Sequence, residues 1–84
     1  MKKVSVEKIL EIINGLDKIT ISDKQIEENL FDLGVDSILF IQIVVALEEA
    51  FECEIPDSKL LISEMGTVSK IYEVLQEIYS TQSV

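Results

Sequence analysis

Histidine, arginine and tryptophan do not occur in this sequence, and cysteine and proline occur once each. Without histidine the chain lacks the commonest general base and the commonest metal ligand. With Cys53 as its sole thiol it can form neither an internal disulfide nor a zinc cluster. A nucleophile–base pair is left with lysine or a carboxylate, and the acids show no spacing that singles out a general acid–base pair. Asp32 and Asp36 do not follow the calcium-loop pattern, and no glutamate stands at its closing position, so no metal site is expected. No catalytic residue is assigned. No apolar run approaches the ~20 residues of a membrane span. The basic start, MKKVSVEKIL, has no long apolar stretch behind it and is not a signal peptide. The expectation is a cytoplasmic protein.

Positive charge is also scarce, and it is unevenly placed. Residues 1–24 hold five lysines and four acids, a net of +1, while residues 25–84 hold two lysines and twelve acids, a net of −10. The later part of the chain repels nucleic acid and anionic membrane, which need a positive footprint. It attracts basic protein surfaces in a salt-sensitive way. The simpler explanation, that acidity keeps the protein soluble, stands beside this one.

What is present reads as helix. The chain has 84 residues, of which 48% are hydrophobic, enough for one small core in a single domain, with a structured part over about 4–79. The apolar residues recur at helical spacing. A first helix is expected over Val4–Leu16. Val6, Ile9, Leu10, Ile13 and Leu16 lie on one face, Glu7, Lys8 and Glu11 lie away from it, and Ser5 is the N-cap. A long connection from Asp17 to Asp36 carries Ile19, Ile21, Ile26, Leu30, Phe31 and Leu33, which should pin it to the core. Ser22-Asp23-Lys24-Gln25 reads as a capping box for one or two helical turns over 23–30.

A second helix is expected from Ser37 to Phe51 with Asp36 as N-cap. Ile41, Val44, Leu47 and Phe51 form the expected inner stripe. Ile38, Leu39, Phe40, Ile43 and Val45 then fall on the outer side, so the helix is apolar nearly all round. Such a helix is either deeply buried or offers apolar surface to partners. Pro56 or Asp57 opens a short third helix over Asp57–Ile62. Thr67 caps a last helix reaching about Tyr79, with Val68, Ile71, Tyr72, Leu75 and Ile78 on one face and a frayed tail from Ser80. Cys53 reads as a partly buried small hydrophobe.

One position carries chemistry. Ser37 follows a glycine-containing turn at the first position of an apolar helix, where unpartnered amides and the helix dipole favour an anion. By itself, Asp-Ser at a helix start reads as ordinary capping. The surrounding residues change that reading. Leu33-Gly34-Val35-Asp36-Ser37-Ile38 resembles the L-G-x-D-S-L signature of acyl and peptidyl carrier proteins. Asn29-Leu30-Phe31-Asp32 is similar to the lead-in of that family and Ala46-Leu47-Glu48-Glu49-Ala50-Phe51 to its A-L-E-E-x-F stretch. Glu54-Ile55-Pro56-Asp57 and Thr67-Val68 resemble its later turn and helix start.

The resemblance implies an all-α four-helix bundle of acyl-carrier type, with three longer helices, one short helix and a long first loop. It implies that a phosphopantetheinyl transferase, using coenzyme A and Mg²⁺, attaches 4'-phosphopantetheine to Ser37, with Asp36 as N-cap and transferase recognition point. The protein is then a non-catalytic carrier of thioester-bound acyl intermediates, serving acyl-loading and acyl-processing enzymes; a monomer is the default expectation, with self-association through the apolar outer side of the second helix as the alternative.

Carriers of fatty-acid synthesis place acids just after the serine, at the positions of Leu39 and Gln42. Here no acid occurs between Ser37 and Glu48. Docking is therefore expected through Ile38, Leu39, Gln42 and Val45, with Glu48 and Glu49 as an acidic supplement. The leading reading is a carrier of a specialised polyketide or hybrid route. A peptidyl or aminoacyl carrier loaded by an adenylating enzyme, and an unmodified helical interaction module, are the alternatives.

Overall fold

The computed structural model describes residues 4–56 and 65–82, with side chains up to residue 78. The described residues are helical, with no strand among them. Helix α1 is Val6–Asn14, α2 is Ser37–Phe51 and α3 is Val68–Gln82, with a short 3-10 turn at Asp23–Gln25. The short helix expected over Asp57–Ile62 lies outside the described residues. The all-α, acyl-carrier-type architecture expected from the sequence is the one observed.

α1 begins at its expected cap, where Ser5 Oγ accepts from Lys8 N–H at 3.1 Å. It ends two residues before the expected Leu16, where the Gly15 and Leu16 amides close it on the Glu11 and Ile13 carbonyls. Ile9, Leu10 and Ile13 are buried, and α1 packs against both α2 and α3.

The long connection is held at both ends. Asn14 Nδ2 donates to the Ile21 carbonyl at 3.0 Å, and Asn14 Oδ1 accepts from Ile21 N–H at 2.7 Å. Further on, Ser69 N–H donates to the Ile26 carbonyl at 2.9 Å and Leu30 N–H to the Gly66 carbonyl at 2.8 Å. Ile21 and Leu30 are fully buried, with Ile19, Ile26, Phe31 and Leu33 packed around them. The helical turns expected over 23–30 shrink to Asp23–Gln25. Gln25 Oε1 accepts from Ser22 N–H at 3.0 Å, and the chain then leaves the helix to make its bonds to residues 66 and 69.

α2 has the expected limits but a different phase. Leu39, Phe40, Ile43, Val44, Leu47 and Phe51 are buried, whereas Ile41 is 61% exposed. The inner stripe is therefore set by the 39–43–47 and 40–44–51 series, each advancing about one helical turn per step or two. α3 starts after Thr67, whose Oγ1 accepts from Lys70 N–H at 3.0 Å. It continues to Gln82, so residues 80–82 belong to the helix and not to a frayed tail. Val68, Ile71, Val74 and Leu75 face the core, with Tyr72 and Ile78 at its margin.

Candidate functional site

A ladder of short turns sets up the start of α2. Asn29 Oδ1 accepts from Phe31 N–H at 2.8 Å, and Asp32 and Leu33 amides fold back on the Asn29 and Leu30 carbonyls, each at 3.0 Å. Gly34 then adopts φ +111°, a conformation side chains with a Cβ resist. That reversal lets Val35 N–H reach the Leu30 carbonyl at 3.1 Å and buries the Val35 side chain. The Phe31 ring packs against Phe40 with centroids 5.9 Å apart, tying the turn to the first turns of α2.

Asp36 follows in extended backbone and caps the helix. Its Oδ1 accepts from Leu39 N–H at 2.7 Å and its carbonyl from Phe40 N–H at 2.8 Å. Ser37 is the first helical residue and is exposed. Its amide and that of Ile38 precede any intrahelical partner, at the positive end of the helix dipole. One Asp36 carboxylate oxygen is already engaged by the helix. A phosphodiester on Ser37 Oγ therefore fits the residues present: the atom is accessible and the nearest backbone favours an anion.

Beyond Ser37 the outer side of α2 carries Ile38 (71% exposed), Ile41 and Val45 (45%), with Gln42 and Glu49 also exposed. Two expected contact residues behave otherwise. Leu39 is only 9% exposed and packs in the core, because it shares the helical phase of Ile43 and Leu47. Glu48 is partly buried and uses Oε2 to accept from Ile55 N–H at 2.8 Å, so part of its carboxylate closes the turn after α2. Ile41, assigned inward from the sequence, takes Leu39's place on the outside. An all-apolar helix gives periodicity no contrast with which to fix its phase.

At the far end of α2, Glu52 adopts φ +53° and the Cys53 amide returns to the Glu48 carbonyl at 3.1 Å. Val45, Glu48, Glu49, Cys53, Glu54 and Ile55 line a shallow open groove of about 400 Å³ there. Cys53 is buried, and burial first, then the Glu48 charge, pushes its thiol pKa up, which leaves the sulfur a poor nucleophile. Among the described residues no cluster of three or more His, Cys, Asp or Glu is placed to hold a metal, and no helix is long and apolar enough to cross a membrane.

Ser37 is thus an exposed hydroxyl residue at the head of a capped helix. Residues 7–75 match the family described as the phosphopantetheine attachment site. Similar proteins include a D-alanyl carrier protein of Streptococcus uberis, 37% identical over 86% of this chain and 91% of its own length. Others of that name, from Lactobacillus helveticus and Streptococcus gordonii, are 34% and 35% identical over 83% of this chain and 89% of theirs. The chain belongs to the phosphopantetheine-binding carrier family, and covalent 4'-phosphopantetheine is its cofactor.

Proposed function

We propose that Ser37 Oγ is the attachment atom and that the whole chain works as one carrier domain. The observation that supports this most is the exposed Ser37 at the first position of α2, with the Asp36 cap fixing the helix start behind it. In the attachment step the Ser37 oxygen forms a bond to the phosphorus that bears the pantetheine of coenzyme A. Adenosine 3',5'-bisphosphate leaves, and the hydroxyl proton passes to the phosphopantetheinyl transferase. Asp36 holds Ser37 in place and is read by that enzyme. The chain is a substrate here and catalyses nothing itself. The attached arm supplies a thiol on which cargo is held as a thioester, and partner enzymes do the chemistry at raised effective concentration.

Ile38, Ile41, Gln42 and Val45 form the docking stripe in this proposal, with Glu49 as its acidic flank. Of the two cargo classes, an aminoacyl group loaded by an adenylating enzyme has the support of the relatives' name, D-alanyl carrier protein. The acyl cargo of a polyketide or hybrid route rests only on the lack of acids between Ser37 and Glu48.

The test is intact mass after incubation with a broad-specificity phosphopantetheinyl transferase, coenzyme A and Mg²⁺. The parent chain gains one phosphopantetheine and Ser37→Ala gains none. A folded parent that gains nothing, beside a control carrier that is modified, sinks the proposal in favour of an unmodified interaction module.

A further inference from the structure

The hydrogen bonds from the Asn14 side chain to Ile21 restrain a reactive pair. Asn14 is followed by Gly15, whereas the chain's other asparagine, Asn29, is followed by Leu30. In an asparagine–glycine step the backbone nitrogen of the second residue can attack the side-chain carbonyl of the first and close a five-membered ring. Glycine hinders this least, because it has no Cβ beside the attacking nitrogen and moves freely in φ and ψ. The fold makes no use of that freedom, since Gly15 has φ −68°, a value open to any residue. Gly15 is also exposed, so water and hydroxide reach it.

The folded chain keeps the pair apart. Ring closure brings Gly15 N onto Asn14 Cγ by rotation about the Asn14 Cα–C bond, away from the helical ψ. Every group that must move is held. Gly15 N–H donates to the Glu11 carbonyl at 2.9 Å, and the Asn14 carbonyl accepts from Asp17 N–H at 3.2 Å. The side-chain amide of Asn14 is fixed on Ile21, through Nδ2 at 3.0 Å and Oδ1 at 2.7 Å. These bonds open before the ring can close, so the reaction draws on an opened state of the chain.

We propose that Asn14–Gly15 is a self-modification site gated by the opening of these bonds. Hydroxide takes the Gly15 amide proton and the nitrogen bonds to Asn14 Cγ. The Cγ–Nδ2 bond breaks as water returns a proton to the leaving nitrogen, which departs as ammonia. A second water opens the succinimide, at Cγ to leave aspartate or at the backbone carbonyl to leave isoaspartate, whose chain runs through the former side chain. In sum one water is consumed and one ammonia released. The aspartate product has no donor for the Ile21 carbonyl. It also sets a negative charge on the last residue of α1, at the negative end of the helix dipole. The grip on Ile21 is weaker after the reaction than before it, so a transient opening becomes permanent. The modification is a one-way record that the connection from α1 to Ser37 has come loose, whatever Ser37 carries.

The experiment incubates the full chain in warm, mildly alkaline buffer, folded and in unfolding urea, and reads aspartate and isoaspartate at both asparagines by peptide mapping. In urea, Asn14 is expected to convert several times faster than Asn29. Gly15→Ala, measured in urea so that its folding is immaterial, removes that advantage. In the folded chain Asn14 converts about tenfold more slowly than in urea, the scale set by opening a few hydrogen bonds. Asn14→Asp, compared with the folded parent, shows faster hydrogen exchange at the Ile21 amide. Conversion at one rate folded and unfolded, or no faster at Asn14 than at Asn29 in urea, overturns the proposal. Ile21 exchange in Asn14→Asp equal to that of the parent overturns its one-way character.

Discussion

The side chain of Asn14 grips the backbone of Ile21 from both sides, donating to its carbonyl at 3.0 Å and accepting from its amide at 2.7 Å. The last residue of α1 thus satisfies both polar groups of a fully buried loop residue. Asn14→Ala leaves an N–H and a C=O without protein partners in a partly buried setting. The expected loss is about 1–3 kcal/mol, read as a lower urea midpoint at unchanged slope. Asn14→Asp keeps the acceptor and loses the donor, and should fall between the two.

Asp36 is assigned two tasks that a pair of substitutions separates. Asp36→Ala removes the cap on Leu39 N–H and should cost about 1 kcal/mol. Asp36→Asn still caps and should restore most of the stability. If the transferase reads the charge, the asparagine variant is nonetheless modified slowly, measured as the rate of mass gain at Ser37. Modification at the parent rate would assign Asp36 to capping alone.

Gly34 is required by its backbone, not by crowding. A Cβ there meets nothing within 4 Å, yet φ is +111°. Gly34→Ala should therefore cost about 1–3 kcal/mol through strain alone. It should also slow attachment at Ser37, because the turn relaxes. Thermal unfolding and modification rate, taken on the same sample, check both.

Leu39 and Ile41 should respond oppositely. Leu39→Ala opens the core and should cost about 2–4 kcal/mol. Ile41→Ala should change stability by no more than about 0.5 kcal/mol. The same change should lower the rate of loading by a partner enzyme, since it removes exposed apolar docking surface. An Ile41 variant loaded at the parent rate would remove that residue from the docking stripe.

Cys53 gives a pH dependence with a definite sign. Its folded pKa is raised above the ordinary 9.0, by burial first and then by Glu48. The folded state holds the thiol proton to higher pH than the unfolded chain does. The contribution is fully present below pH 9 and is lost as pH rises from there through the folded value. Stability measured from pH 8 to 10.5 should fall, and Cys53→Ser should flatten that part of the fall.

Much of this arrangement was legible in the residues. Ser5, Asp36 and Thr67 announced three helix starts, because a cap is a local bond between neighbours. The position of Ser37 at the head of α2 followed from the same logic. The rotation of α2 did not, since Ile38 to Val45 offers only one polar residue to mark the outside. Nor did the grip of Asn14 on Ile21, because an asparagine near a helix end is more simply read as part of its stop. The shortened turn at Asp23–Gln25 is a case of distant bonds overriding local preference. The 23–30 segment has helical signals, but its carbonyl at Ile26 and amide at Leu30 are taken by Ser69 and Gly66.

On the proposed attachment at Ser37, those distant bonds bear on when the protein could become a substrate during its synthesis. The turn that presents Ser37 hangs on the Leu30 carbonyl, and Leu30 in turn hangs on the Gly66 carbonyl. A ribosome that has just released Ser37 has not yet made the residue that holds this turn in place. A transferase that reads the finished turn would then pass over nascent and misfolded chains and mark only those whose two halves have met, so that on this proposal the arm would also record that the chain has folded.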